Sequence, residues 1–456
     1  MQPPVVTPAA QPDFSTLVVG LGKTGVSCAR YLRAQGVSVA VTDSRPEPPG
    51  LAALRSALPD VPVFTGGFPP AAFATARQLV VSPGVPVAEP LIQEALARGV
   101  SVLGDVALFS RAARAPICAI TGSNGKSTVT TLVGNMAETC GRRVAVGGNL
   151  GEPVLDLLDD GIELYVVEVS SFQLETTAEL PARAAACLNI SPDHLDRYPS
   201  LDAYVAAKAR IYRDAEVAVI NRDDPRVDAM PRQLAREIGF TLATPNAEDY
   251  GLCLRSHQTW LCRGSEPLVP ESQITIPGRH NLANALAALA LAEACGLERE
   301  PCLDALRRFR GLEHRSQLVT ERRGVRWYDD SKGTNPGATV AALEGLVPVG
   351  ATHRAVLIAG GDGKGADFSP LAPAVERAAR AVVLLGRDAP RIAEVLKGLA
   401  ETRRARDMDE AVALAAEIAQ RGDCVLLSPA CASFDMFKDF QHRGRAFSEA
   451  VRSLAP

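Results

Sequence analysis

Short apolar runs separated by amphipathic, alanine- and leucine-rich stretches recur along most of this chain. In the first quarter, runs at 17–19, 37–41 and 79–81 alternate with helical stretches at 26–34 and 90–98. A run without polar alternation is buried on both faces, so the pattern predicts a parallel sheet covered by helices. The rhythm restarts after residue 115, with strands expected at 165–169, 185–189 and 217–221. A more polar section over 250–276 reads as antiparallel strands, and an alanine-rich helix is expected over 282–294. A third set follows, with strands at 355–359, 381–385 and 424–427. The chain thus divides into three successive α/β units, 1–112, 113–311 and 312–456.

Length agrees: 456 residues exceed one ordinary core. A net charge of −4 gives no overall pull towards nucleic acid or an anionic membrane, so an anionic substrate must be met by local Lys and Arg. Residues 1–12 are Pro-rich and lack a basic segment followed by an apolar one, which predicts a disordered lead-in rather than a secretory signal. No segment approaches the ~18 apolar residues of a membrane span, so a cytoplasmic protein without membrane insertion is expected. Ten cysteines without a Cys-x-x-Cys pair read as buried free thiols, not as a zinc site or a disulfide framework.

The densest chemistry lies where the apolar run 117–120 meets a helical pattern, at Thr121-Gly122-Ser123-Asn124-Gly125-Lys126-Ser127-Thr128. Backbone N–H groups of such a joint cradle phosphates, Lys126 reaches the outer ones, and a Ser127 or Thr128 hydroxyl can ligate Mg²⁺. A strict Walker loop would carry glycine at position 120, where this chain has Ile120. Upstream, Gly20-Leu21-Gly22-Lys23-Thr24-Gly25 fits Gly-x-Gly-x-x-Gly, and Asp43 ends the next strand. Two readings stay open there: a dehydrogenase binding NAD, or a seat for another diphosphate such as a UDP group. Ser82-Pro83-Gly84 adds a loop at the same sheet edge.

Glu168 closes an apolar strand near the phosphate loop, where a carboxylate is placed for Mg²⁺. His194 follows the next strand, within Asn189-Ile190-Ser191-Pro192-Asp193-His194. Lys208 stands among apolar neighbours on a helical stretch; burial would leave it a neutral, nucleophilic amine, the state that forms a carbamate with CO₂. In the third unit, Asp330-Ser331-Lys332-Gly333-Thr334-Asn335-Pro336, Gly360-Gly361-Asp362-Gly363-Lys364-Gly365 and Ser428-Pro429-Ala430-Cys431-Ala432-Ser433-Phe434-Asp435 bring donors and cations to one sheet edge.

In this order the motifs resemble the Mur ligases, the ATP-dependent amino-acid-adding enzymes of peptidoglycan synthesis, over essentially the chain from Leu17 onwards. The segments Gly20–Gly25, Ser82-Pro83-Gly84 and 428–435, with Phe437-Lys438-Asp439-Phe440 and Arg443-Gly444, are most similar to the branch that adds D-glutamate to UDP-N-acetylmuramoyl-L-alanine. The Asp-Asn-Pro-Arg motif of the diaminopimelate-adding branch is absent from the sequence, and Gly333 stands where the family more often has alanine.

The resemblance implies a three-domain architecture: an N-terminal Rossmann-like UDP-binding domain, a central P-loop ATPase-type domain and a C-terminal Rossmann-like domain. It also implies a reaction in which ATP phosphorylates the substrate carboxylate and the D-glutamate amine attacks the acyl phosphate through a tetrahedral intermediate. ATP would be held by Gly122, Ser123, Asn124, Gly125, Lys126, Ser127 and Thr128, with Asn281, Asn284, Arg315 and Asp330. One Mg²⁺ falls to Ser127 or Thr128 and Glu168, and a second to His194 and Lys208 as a carbamate. Asn149 would contact substrate beside the reacting carboxylate. Gly22, Lys23, Thr24, Asp43, Ser44, Arg45, Ser82 and Gly84 fall at the UDP end; Lys332, Thr334, Lys364, Ser433 and Phe440 fall at the D-glutamate pocket. A monomer is expected. Competing readings are a folylpolyglutamate-synthase-like ligase, an NAD-dependent dehydrogenase and a non-catalytic nucleotide-binding scaffold.

Overall fold

The computed structural model describes residues 14–232 and 236–454, so the lead-in expected over 1–12 lies outside the described residues. The first sheet is parallel, in the order Val63–Thr65, Val39–Asp43, Thr16–Val19, Gln78–Val81, Ser101–Leu103. Thr16–Val19 and Val39–Asp43 are buried at every position, as unbroken apolar runs under helices on both faces require. The strand order reverses at Thr16–Val19, and the crevice at such a switch point holds the Gly20–Gly25 loop. Gly25 is required there, because a Cβ would strike the Gly20 carbonyl.

The second sheet has nine strands. Ile117–Thr121 lies between Ala184–Cys187 and Leu164–Glu168, all parallel. The carboxyl ends of these three strands therefore set the phosphate loop, Glu168 and the 189–194 loop side by side. The polar section forms antiparallel strands Tyr250–Arg255, Gln258–Arg263 and Glu266–Pro270, as its pattern predicts. The alanine-rich helix runs over Arg279–Ala294, three residues longer at its start than expected.

One expectation fails in that hairpin. Cys253 and Cys262 form a disulfide, whereas the spacing of the cysteines argued for free thiols throughout. Cys253 pairs in register with Trp260, so Cys262 lies two residues further along the same face, a diagonal neighbour. Strand register brought them together, which no Cys-x-x-Cys count could reveal. The other eight cysteines are free.

The third sheet runs Gln317–Arg322, Val325–Asp329, Cys424–Leu427, Ala355–Ala359, Ala379–Leu384, Glu401–Arg404, parallel except for the first pair. Cys424–Leu427 lies between Val325–Asp329 and Ala355–Ala359, so the loops at 330–336, 360–365 and 428–435 emerge together. Short edge strands such as Val144–Gly148 and Glu401–Arg404 escaped the apolar pattern because water reaches much of their surface.

Burial joins the units unequally. One apolar cluster runs without a break from Val18, Leu21 and Phe109 in the first unit to Tyr165, Val167 and Leu174 in the second. The Phe109 and Tyr165 rings meet edge to face at 5.1 Å. The apolar clusters of the third unit contain only its own residues. Among the described residues, no helix is long and apolar enough to cross a membrane.

Candidate active site

Three cavities line the route between the units. The largest, about 610 Å³, has Gly22, Lys23, Thr24, Asp43, Ser44, Arg45, Ser82 and Gly84 on its wall, together with Asn149 and Gln173 of the central unit. All the residues expected at the UDP end are thus gathered. The Asp43 carboxylate is already occupied: it accepts from Leu21 N at 2.7 Å, Arg45 N and Nε at 2.9 Å, and Arg45 Nη2 at 2.7 Å. Burial pushes its pKa up, but those donors outweigh burial and hold it at about 2. As it stands, the carboxylate braces the glycine loop rather than offering a free acceptor for a ribose.

Asn149 also lines the second cavity, about 450 Å³, at the centre of the molecule. Lys126, Ser127, Glu168, His194 and Lys208 of the central unit face Lys332, Thr334, Lys364, Ser433 and Phe440 of the third across this space. The phosphate loop is shaped by Gly125, whose φ of +82° is left-handed and whose missing Cβ leaves room for Asn284 Oδ1. Lys126 Nζ donates to the carbonyls of Gly122 at 2.9 Å and Ser123 at 3.0 Å, so the amine is folded over the loop. Arg315 reaches across from the third unit and donates to Ser127 Oγ at 2.7 Å.

Glu168 is almost fully buried, and Asn149 Nδ2 donates to its Oε1 at 2.6 Å. Its Oε2 has no hydrogen-bond partner. Burial alone would raise its pKa, yet Lys126, Asn149, Ser127 and Arg315 outweigh burial and hold the carboxyl below its ordinary range. An ionised carboxylate with an unused buried oxygen beside a serine hydroxyl suits a hard divalent cation, so these residues fit Mg²⁺. Ser127 faces this cavity, whereas Thr128 faces the neighbouring one. Among the described residues, no three His, Cys, Asp or Glu side chains are gathered as a metal site.

Lys208 is 2% exposed, and its Nζ donates to Gly122 O at 2.9 Å and Thr121 Oγ1 at 3.3 Å. Burial, helped by the charge on Lys126, pushes its pKa down to about 7. A large share of the amine is therefore uncharged near neutrality. His194 has a left-handed backbone, φ 56°, and its ring stands 4.8 Å from that of Phe172. Burial lowers its pKa, which favours the neutral imidazole a metal requires.

On the opposite wall, Lys332 Nζ lies 4.0 Å above the Phe440 ring, and burial brings its pKa down to about 8. Its loop is held from behind by Arg443, which donates to Ser331 Oγ and O and to Cys431 O. The third cavity, about 310 Å³, takes Asn281, Asn284, Arg315, Asp330 and Thr128 between apolar walls from Leu188, Phe240 and Ala341. Asp330 accepts from Ser428 Oγ at 2.7 Å and Ser316 N at 3.0 Å, and burial lifts its pKa to about 7.

Several residues here were given no role from sequence. Asn335 Nδ2 donates to Asn124 Oδ1 at 3.1 Å and Asp193 Oδ2 at 3.2 Å, a polar bridge between the second and third units. Asn189 exchanges hydrogen bonds with the backbone of Asn124, and Ser123 Oγ donates to Ser191 O. Gln173 Nε2 donates to the buried Asp105 carboxylate at 2.9 Å, tying the first unit to the second. For Asn189 and Asn335, position at a strand end or helix N-cap was the available signal.

Comparison with known proteins accords with this layout. Residues 120–292 match the Mur ligase middle domain, 14–104 the Mur ligase MurD-like N-terminal domain, and 314–431 the Mur ligase, glutamate ligase domain. The N-terminal match leaves no support for the NAD-dehydrogenase reading, and none for a folylpolyglutamate-synthase-like chain lacking that block. A UDP-N-acetylmuramoylalanine–D-glutamate ligase from Nitrosococcus oceani is 56% identical over 441 residues, covering 96% of this chain and 97% of its own. One from Pseudomonas putida is 53% identical over 443 residues, covering 97% and 98%. Among solved structures, a UDP-N-acetylmuramate–alanine ligase from Thermotoga maritima shares the fold, with a TM-score of 0.60 and 22% identity, covering 97% of this chain and all of its own. Matched in all three units and along nearly its whole length, the chain belongs to the Mur ligase family.

Proposed function

We propose that this chain joins D-glutamate to UDP-N-acetylmuramoyl-L-alanine with ATP, giving ADP and phosphate, in peptidoglycan synthesis. The observation that carries the reading is the central cavity. Phosphate-binding and carboxylate-binding side chains face each other there, and Asn149 opens it to the UDP-end cavity.

The nucleotide lies along the third cavity with its phosphates on the Gly122–Thr128 loop. Lys126 and Arg315 stabilise charge on the transferring phosphoryl group. Asn149 orients the L-alanine carboxylate that receives it, forming an acyl phosphate. Lys332, Thr334, Lys364, Ser433 and Phe440 hold D-glutamate so that its amine attacks the acyl carbon, and phosphate leaves from the tetrahedral intermediate. Mg²⁺, when bound, supplies charge neutralisation at the phosphate oxygens. Ser127 and Glu168 would hold one ion; His194 and Lys208, once carbamylated by CO₂, would hold a second. The uncharged state open to Lys208 supports that modification, since carbamate formation needs a free amine. Gly22, Lys23, Thr24, Ser44, Arg45, Ser82 and Gly84 seat the UDP group, with Asp43 bracing the loop.

The domain limits are 1–112, 113–311 and 312–456, and the enzyme works as a cytoplasmic monomer. Phosphate release from ATP plus UDP-N-acetylmuramoyl-L-alanine, with each amino acid supplied in turn, tests the reading. D-glutamate alone should support turnover; release with another amino acid, or none with D-glutamate, would overturn it.

A further inference from the structure

Away from the cavities of the reaction, the far end of the phosphate-loop helix carries a pair of thiols. That helix spans Lys126–Thr139 and is closed by Cys140. Cys302 closes the first turn of the helix Arg299–Arg308, which packs against it. The two sulfurs stand 3.8 Å apart, although 162 residues separate them in sequence. We propose that Cys140 and Cys302 form an oxidisable dithiol, which a small-molecule disulfide converts into a covalent bridge between these helices.

Three observations support it. Cys140 is half-buried and occupies a helix end, where its side chain is reachable and the backbone is least constrained. Cys302 borders an open cavity of about 380 Å³ lined by Arg263, Glu293 and Arg299, so a second approach reaches the pair. The two helices are already packed together, so closing the bridge requires rotation of the half-buried thiol rather than movement of a unit. Cys118 and Cys295 lie in the same region and Cys295 also acts on Cys302, but the sulfur that meets Cys302 is that of Cys140.

Cys302 is buried, and burial with the neighbouring Cys140 raises its pKa, so the attack begins at the more exposed Cys140. Its thiolate displaces one thiolate from the small disulfide, leaving a mixed disulfide on Cys140. Cys302 then gives up its proton to that released thiolate and attacks the Cys140 sulfur, expelling the second small thiol. Two protein thiols are oxidised and one disulfide is reduced to two thiols. The bridge is distinct from Cys253–Cys262, which lies in the outer hairpin.

The test uses the full chain in buffers of oxidised and reduced glutathione, alkylation of remaining thiols, and peptide mapping without reductant. A linked peptide pair containing Cys140 and Cys302 is expected, absent from Cys140→Ser and from Cys302→Ser. The melting midpoint of the parent chain should rise on oxidation, and neither variant should show that rise. Separate alkylation of both residues after oxidation would overturn the proposal. So would glutathione persisting on Cys140, a link from either cysteine to Cys118 or Cys295, or an equal rise in melting midpoint in the variants.

Discussion

Two glycine loops in this molecule share a design and differ in what surrounds them. Gly20–Gly25 and Gly122–Lys126 each follow a buried parallel strand and open a helix, Lys23–Ala34 and Lys126–Thr139. Around the first, Lys23 is exposed and the one buried carboxylate, Asp43, is fully engaged by Arg45 and Leu21. Around the second, Glu168 keeps an unused oxygen, Lys208 is buried, and Lys126 and Arg315 approach the same space. The backbone motif supplies a seat for phosphate in both cases. Reactivity comes from unpaired charge held out of water, where electrostatic interactions are strongest.

That contrast breaks first at Lys126. Lys126→Ala should lower kcat by on the order of 10²–10³-fold in a folded protein, because the transferring phosphoryl loses its cation. Phosphate release under saturating substrates measures it, and near-normal turnover would erase the distinction between the loops. Next comes Lys208. Lys208→Ala should lose about 10²-fold in turnover and recover part of it with added acetate, whereas Lys208→Arg should not recover, since guanidinium stays charged. With the amine titrating at about 7, parent activity should also fall as pH drops below neutrality and depend on bicarbonate. A bicarbonate-independent enzyme would remove the carbamate.

The N-terminal loop should answer differently. Asp43→Asn loosens a brace rather than a reacting group, so KM for the UDP substrate should rise roughly tenfold, about 1.4 kcal/mol, with kcat little changed. An equal fall in kcat would place Asp43 in the chemistry. A separate effect, on stability rather than on turnover, is expected in acid. Burial pushes His280 from 6.5 down to about 4, so between those values the unfolded chain binds a proton that the folded chain refuses. Stability should therefore fall as pH falls through that window, by up to about 3 kcal/mol, and stay flat above it for this residue. Urea titrations of the parent and His280→Gln chains measure the difference; equal slopes against pH would exclude His280.

Much of this was legible because strand ends announce themselves. Gly122–Thr128, Glu168 and the loops at 360 and 428 each follow an apolar run, and parallel sheets deliver such loops to one edge. What stayed hidden depends on geometry between distant segments. The spent carboxylate of Asp43 is visible only once Arg45 folds back, and the Cys253–Cys262 bond only once register is known. The Asn335 bridge needs the second and third units docked together. Sequence placed Asn335 in a polar loop of the third unit but could not say what its amide would face.

The shared apolar cluster has a consequence for how the chain comes apart. The first two units bury a common core, so neither should lose its structure alone. The third has separate cores and meets the second through polar contacts such as Asn335 and Arg315 and through helix packing without a shared apolar cluster, the kind of junction that opens readily. The chain would then melt as two cooperative blocks rather than three. A protease should cut first near Gly311, releasing the last block folded and leaving the joint near Arg114 intact.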